Sequence, residues 1–385
     1  MNILILNHEY PPLEGGAANA TFHLAREMAS QGHAVRVVTL NLFGGPPVSR
    51  EDGVTVIRLP FRRRRQGAFS YRELLSYWVR GRAVVLKLCR ESRPDLLHAF
   101  FAFPDGLIAG RAARALGIPC VVSLRGSDVP GFRQGALAAA AYAALRPVLR
   151  AQWRRPGVQI VANSEGLRAL ALRTTPDVDI RVIPNGVDCA RFSPAPAAKR
   201  KPGPFVILTV GQLVPRKGIG ALIDLLPAVR AQTARDVRLT IVGRGRLGGE
   251  LEKQARAAGV GDVVEFAGHV EPADMPRRYR AADAFVLLSR REGMANALLE
   301  ALASGLPVVT TGVEGVSELV RDGEEGFVVN PGDRAATIDR IARLVADDAL
   351  CERMGAKARA KAEAFSWERI VDGYLAVYAQ GAGAR

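Results

Sequence analysis

The sequence predicts an α/β protein built from two doubly wound domains. Short runs rich in Val, Ile and Leu alternate with helix-length amphipathic segments along all 385 residues, the alternation expected of βα units. The runs are almost continuously apolar, as parallel strands buried on both faces are. A Pro- and Lys/Arg-rich stretch, Ser193 to Pro204 (SPAPAAKRKPGP), separates two halves that share this pattern. A chain of 385 residues also favours two domains over one.

In the first half, strands are expected at Ile3 to Leu6, Val35 to Leu40, Val54 to Leu59, Leu96 to Ala99, Cys120 to Leu124, Ile160 to Ala162 and Val182 to Ile183. In the second half they are expected at Phe205 to Val210, Arg238 to Val242, Val263 to Phe266, Ala284 to Leu288, Val308 to Thr310 and Phe327 to Val329. This places an N-terminal domain at residues 1–195 and a C-terminal domain at 196–365. A closing helix (Trp367 to Ala379) lies in 366–385 and has room to pack back on the first domain. Two such domains facing each other would enclose a cleft, a favoured place for ligands.

Hydrophobic content of 48% supports two real cores and excludes general disorder. The net charge of +15 is uneven. Residues 1–195 carry 26 Lys and Arg against 14 Asp and Glu, and the remainder 27 against 24. A basic first half suits an acidic ligand, an anionic bilayer surface or solvated faces without a partner. Nucleic acid is not expected, because no binding module accompanies the charge. The four cysteines, at 89, 120, 189 and 351, form no Cys-x-x-Cys pair, so neither a zinc site nor a disulfide framework is indicated. The N-terminal apolar run is short and reads as a strand rather than a signal peptide. The Ala-rich stretch from Ala136 falls well short of the ~20 residues that span a bilayer. The expected location is therefore the cytoplasm.

One segment places acidic chemistry at a strand end. REGMANALLEALASG (Arg291 to Gly305) sets Glu292 just after an expected strand and Glu300 about two turns into the following helix. The crevice beyond the carboxyl ends of parallel strands is where open α/β sheets bind ligands. Two carboxylates there can each accept from sugar hydroxyls. The free amides near Gly293, Met294, Ala295 and Asn296, at the helix start, favour an anion.

Other strand ends carry matching features. Gly15 and Gly16 lie in the loop between the first strand and its helix, where backbone can approach a ligand; alone, such a pair reads first as a turn. VGQLVPRKG puts Gly211, Arg216 and Lys217 before a helix, a set suited to a diphosphate or, equally, a solvated pair of cations. SLRGSDV puts Arg125 and Asp128 at another strand exit. There they serve as an anion and hydroxyl site or as an ion pair closing a turn. His8 follows the first strand, where it either enters the cleft or serves as a structural loop residue, the reading favoured here. Asp177 and Asp179 form an Asp-x-Asp with no neighbouring ligands, so no metal site is read there.

Taken in order, these segments resemble the family-four retaining glycosyltransferases, also called group 1 glycosyltransferases, which have the GT-B fold of two Rossmann-like domains. The resemblance rests on YPPLEGGAA, PDGLIAG, SLRGSDV, VIPNGVD, VGQLVPRKG, the Glu292-to-Glu300 motif, GLPVV and FSWE. It implies transfer of a sugar from a nucleotide-sugar donor, with retained anomeric configuration and without a metal or other cofactor. It implies that Glu300 holds the ribose, Glu292 the donor sugar's hydroxyls, and Arg216 with Lys217 the diphosphate. Gly15 and Gly16 fall in the loop that closes on diphosphate and acceptor, and Asp128 in an acceptor-side loop. The chain departs from the family at Arg125, where many relatives have His, at Gln212, where many have Arg, and at Ala295. A non-catalytic nucleotide-sugar-binding protein or partner subunit with the same fold is the alternative. The acceptor is expected to be a glycan, a lipid-linked molecule or a small molecule.

Phe61 to Arg90 combines an arginine cluster, Arg62 to Arg65, with an apolar stripe through Tyr71, Leu74, Leu75, Trp78, Val85 and Leu86. Arg72, Arg80, Arg82 and Lys87 flank the stripe. Such a helix suits the anionic inner face of a membrane, or it is simply the domain's core-facing helix.

Overall fold

The computed structural model describes residues 1–13, 15–61, 69–131, 135–195 and 203–383. The chain forms two compact units, Met1–Gly186 with Trp367–Arg385, and Val187–Ser366.

The first unit runs β1 (Asn2–Leu6), α1 (Gly16–Ser30), β2 (Ala34–Asn41), β3 (Val48–Glu51), β4 (Val54–Pro60), α2 (Tyr71–Ser92), β5 (Leu96–Phe100) and α3 (Leu107–Leu116). It continues with β6 (Cys120–Leu124), α4 (Ala136–Trp153), β7 (Val158–Ala162), α5 (Glu165–Leu172) and β8 (Ile180–Val182). The eight strands order as β3-β4-β2-β1-β5-β6-β7-β8, with only the β3–β4 pair antiparallel. β1 pairs in parallel with both β2 and β5, so the strand order reverses beside it. The carboxyl ends of β1 and β5, at that reversal, are where open α/β sheets bind ligands. Side chains of α2 and α3 fill one face of the sheet, and α1 fills the other.

The second unit runs β9 (Phe205–Val210), α6 (Ile219–Ala231), β10 (Val237–Val242), α7 (Gly248–Ala257), β11 (Val264–Gly268), α8 (Met275–Arg280) and β12 (Ala284–Leu287). It ends with α9 (Asn296–Ala303), β13 (Val308–Thr311), β14 (Gly326–Val329), α10 (Arg334–Ala346) and α11 (Asp348–Glu363). Its six strands order as β11-β10-β9-β12-β13-β14 and pair in parallel throughout. Here the reversal lies between β9 and β12.

The last helix, α12 (Trp367–Gly383), belongs to the first unit. Its Ile370, Val371, Tyr374, Val377 and Tyr378 join the core beside α1. The Tyr378 hydroxyl meets His98 Nδ1 at 2.6 Å. Ser123 bridges the same histidine to Tyr374, at 2.7 Å from His98 Nε2 and 3.2 Å from the Tyr374 hydroxyl.

Several details differ from the sequence pattern. The pattern predicts a domain break after residue 195, but the chain changes unit after Gly186. Val187 and Phe192 are buried in the second unit, and Arg359 Nη1 donates to the carbonyls of Cys189 and Phe192 at 2.9 and 2.8 Å. β3 has no apolar run, because it is an edge strand with exposed and half-exposed side chains. The stripe on α2 divides: Leu74 and Val85 are buried, Trp78 and Leu86 half-buried, and Tyr71 and Leu75 exposed, while Tyr77 and Cys89 outside it are buried too. The cluster Arg62 to Arg65 lies outside the described residues. No described helix is long and apolar enough to cross a membrane.

Candidate active site

The second unit gathers an acidic and a basic group from two strand ends. Glu292 follows β12 and is 5% exposed. Its Oε1 accepts from Lys217 Nζ at 2.6 Å and from Ser289 Oγ at 2.6 Å. Arg216 Nη1 stands 3.5 Å from Oε2, at the edge of hydrogen-bond range. Lys217 is 12% exposed at its side chain and Arg216 45%. The pair Lys217–Glu292 is therefore sheltered, while the guanidinium of Arg216 reaches into solvent.

Backbone contacts fix these two turns together. The Arg290 amide donates to the Arg216 carbonyl at 2.8 Å. Gly218, directly after Lys217, has φ +68°, and a Cβ there would sit 2.0 Å from the Leu288 carbonyl oxygen. Only glycine allows that approach. On the far side, a Cβ on Gly315 would lie 2.3 Å from the Gly293 carbonyl oxygen, so this loop backs the acidic turn. Thr311 Oγ1 donates to the Ser289 carbonyl at 2.5 Å and ties the turn to β13. Gly211 directly follows β9, and its amide donates to Val242 on β10 at 3.0 Å. Gln212 beside it is exposed.

Gly293, Met294 and Ala295 lead into α9, whose first residue is Asn296. Ala295 occupies the cap position and supplies no side-chain acceptor to the first-turn amides. An uncapped helix start favours an incoming anion. Glu300 sits one turn into α9, not two, because the helix begins only at Asn296. Its Oε2 accepts from the Tyr279 hydroxyl of α8 at 2.8 Å, and that hydroxyl is also 3.1 Å from the Ala297 carbonyl. Burial pushes the Glu300 carboxyl up to about 7, against the lowering effects of the Tyr279 bond and the Arg191 charge. The residue keeps intermediate exposure, so water tempers that shift.

In the first unit, Gly15 caps α1 without a side-chain bond, and Gly16 is its first residue. Arg125 and Asp128 follow β6 but do not pair with each other through their side chains. Asp128 is 6% exposed and accepts from three backbone amides, Ala102 at 2.8, Arg125 at 3.0 and Gly126 at 2.8 Å. Arg125 donates to Asn185 Oδ1 at 2.6 Å and to the Tyr374 hydroxyl at 3.1 Å, with its guanidinium 4.2 Å from the Phe100 ring centre. Both groups are engaged inside the unit: Asp128 shapes the loop, and Arg125 joins α12 to the sheet. Asp177, in the loop read as metal-free, pairs with Arg154 at 2.8 Å.

Three buried residues that the motifs do not connect meet in this unit. His8 Nδ1 is 2.5 Å from Asp105 Oδ2, and the Tyr77 hydroxyl donates to Asp105 Oδ1 at 3.0 Å. Asp105 lies in PDGLIAG, which the family resemblance includes, but nothing in the local sequence links it to His8. Ser289 and Tyr279 were equally silent; each is identified by the carboxylate that it touches.

With this geometry in view, similarity to known proteins is informative. The family model described as "Glycosyl transferases group 1" matches residues 194–361, and the "Glycosyl transferase 4-like domain" matches 15–186. The chain is 29% identical over 410 residues to a glycogen synthase of Mycobacterium tuberculosis, covering 98% of this chain and 94% of that protein. It is 31% identical over 313 residues to a D-inositol 3-phosphate glycosyltransferase of Actinosynnema mirum, covering 74% and 72%. Among solved structures, sucrose-phosphate synthase from Thermosynechococcus elongatus aligns with a TM-score of 0.82 at 22% identity, over 100% of both chains. HepE of Anabaena in complex with UDP-glucose aligns with a TM-score of 0.74 at 21% identity, over 99% of this chain and 100% of that one. At these identities the structural matches establish the GT-B fold.

Proposed function

The chain belongs to the group 1 glycosyltransferase family, and from that footing we propose that it moves a sugar from a nucleotide-sugar donor to an acceptor hydroxyl with retention of configuration. The observation that carries this reading is the Lys217–Glu292–Ser289 cluster at the carboxyl ends of β9 and β12. A nucleotide sugar brings both partners that the cluster suits. Its hydroxyls donate to Glu292, and its diphosphate takes Lys217, Arg216 and the amides at the start of α9. Glu300 accepts from the ribose diol. Gly15 and Gly16, at the start of α1, serve the diphosphate and the acceptor.

In this scheme the acceptor oxygen bonds to the anomeric carbon from the leaving-group side as the bond to the diphosphate oxygen breaks. The departing phosphate takes the acceptor's proton, and Glu292 positions the sugar without attacking it. Lys217, Arg216 and the helix dipole offset the charge of the leaving diphosphate, so the mechanism needs no bound metal. Arg125 and Asp128 act as supports of the fold. Proton NMR of the first-formed product, made from an α-linked donor, tests the stereochemistry. An α product supports the scheme, and a β product overturns it.

The first unit's surface supports a reading of the acceptor class. Tyr71, Leu75 and Val79 of α2 and Leu137 and Val148 of α4 are exposed, with Arg72, Arg80 and Arg146 also exposed on these helices. Apolar side chains among cations suit an anionic bilayer, and a lipid-linked or other membrane-borne glycan acceptor. Co-sedimentation with phosphatidylglycerol vesicles that disappears in high salt supports this. Equal sedimentation with neutral phosphatidylcholine vesicles contradicts the electrostatic part.

A further inference from the structure

Resting on the glycosyltransferase reading, we propose that His8 and Glu9 read a hydroxyl of the acceptor, with Asp105 and Tyr77 as positioning residues.

His8 follows β1 and Asp105 follows β5, the two strands at which the order of the first sheet reverses. Ligands of open α/β sheets bind at such a point. The imidazole is held from three sides. Nδ1 faces Asp105 Oδ2 at 2.5 Å, and Tyr77 fixes the other carboxyl oxygen at 3.0 Å. Phe69 and Phe101 pack on the ring with centroid distances of 5.1 and 4.9 Å. Nε2 stands 4.0 Å from Glu9 Oε1, within ion-pair range but too far for a direct hydrogen bond.

That separation has a chemical consequence. An oxygen about 2.8 Å from each atom bridges them. A hydroxyl fits because it accepts from Nε2–H and donates to the carboxylate at once. A second anion would meet Glu9 and Asp105 and is disfavoured. The His8 side chain is 5% exposed and the Glu9 side chain 27% exposed, so the pair reaches solvent through Glu9. Glu9 Oε2 also lies 3.7 Å from the place where a Cβ on Gly15 would be, next to the start of α1.

The groups around the ring favour the protonated imidazole, the form in which Nε2 donates. Burial lowers the His8 pKa, but the Asp105 charge and hydrogen bond, with the Glu9 and Asp128 charges, outweigh it and raise it above 6.5. Tyr77 stays protonated, since burial first and Asp105 second raise its pKa. A raised histidine pKa means that the charged donor is present at low pH and is lost as pH rises through the folded-state value.

The test is acceptor kinetics, with myo-inositol, methyl α-D-glucopyranoside and octyl β-D-glucopyranoside as probes and UDP-, GDP- and ADP-hexoses as donors. His8→Ala is expected to raise the acceptor KM about tenfold or more, while UDP, GDP or ADP affinity by calorimetry stays within about twofold. His8→Gln, which keeps a donor but does not titrate, is expected to restore most of the KM. It should also abolish the rise in acceptor KM that the wild type shows at high pH. Tyr77→Phe is expected to raise KM less than His8→Ala. Unchanged acceptor KM and pH profile in His8→Ala, with nucleotide binding intact, overturn the inference alone. A wild type that binds none of the nucleotides defeats the glycosyltransferase reading itself. If His8→Ala does not fold, the ¹⁵N resonance of His8 Nε2 in the wild type decides. It is expected to shift as the acceptor probes saturate, and a fixed resonance contradicts the proposal.

Discussion

Lys217 and Glu292 stand 75 positions apart, on turns that follow different strands, yet their charged groups meet at 2.6 Å. The contact leaves Glu292 only 5% exposed. Removing the ammonium therefore leaves a sheltered carboxylate with Ser289 and the distant Arg216 guanidinium. Lys217→Met is expected to cost about 1–3 kcal/mol of stability, because an uncompensated buried charge is expensive. Glu292→Gln is expected to cost less, since the lysine can extend toward water. Denaturant melts of the two variants check the order. Each variant is expected to lower kcat by about 10²-fold or more, the scale on which an electrostatic group at the leaving oxygen or sugar acts.

Glu300 gives a pH signature. Its carboxyl titrates near 7 in the folded protein, against 4.5 as its ordinary value. A carboxylate whose folded pKa is raised loses stability as pH rises between the two values, because the unfolded chain ionises first. Stability should thus fall between about pH 4.5 and 7 and then level off. Glu300→Gln should flatten that slope. Donor affinity should move the other way, rising with pH through about 7 as the ribose acceptor ionises. Tyr279→Phe removes a bond that lowers the pKa, so its midpoint should lie higher. Nucleotide titrations at several pH values check both signs.

Gly218 is the backbone counterpart of this site. Its φ of +68° and the 2.0 Å approach to the Leu288 oxygen forbid a side chain. Gly218→Ala is expected to cost more than about 2 kcal/mol and to impair donor binding by displacing Lys217. Gly117 has the same hand, φ +67°, with nothing near its Cβ position. Gly117→Ala should cost only about 1 kcal/mol and leave binding unchanged. Comparing the two in melts and nucleotide titrations separates backbone strain from steric closure.

α12 is tied down by buried polar groups. Tyr378→Phe leaves His98 Nδ1 without its 2.6 Å partner and is expected to cost about 1–3 kcal/mol. Burial first, and the Arg125 charge second, hold the His98 pKa well below 6.5. A depressed histidine pKa makes the unfolded chain bind protons first, so stability is full above 6.5 and declines as pH falls below it. His98→Gln should remove that part of the acid sensitivity, read from thermal melts between pH 5 and 7.

Much of this architecture is legible in the sequence because buried parallel strands are written as apolar runs. The edge strand Val48–Glu51 is not, since its side chains face water. The unit boundary is displaced for a related reason. Proline-rich composition marks residues 193–204, but packing of Val187 and Phe192 decides where the chain changes unit. At the site, the spacing of Glu292 and Glu300 points to strand-end chemistry. What spacing does not reveal is partnership. Lys217 reads as a diphosphate cation, whereas in the structure it donates to Glu292. Asp128 reads as a ligand group, but backbone amides satisfy it, and such partners leave no mark in sequence. His8 and Asp105 are 97 positions apart and meet only through strand order.

The most direct test of the central claim is calorimetric titration of the wild type, Lys217→Ala and Glu292→Ala with UDP-, GDP- and ADP-hexoses. The account predicts that at least one donor binds the wild type, and that each substitution weakens it by about tenfold or more in a protein that still melts cooperatively. Equal affinity in all three proteins, or no binding by the wild type, would contradict it.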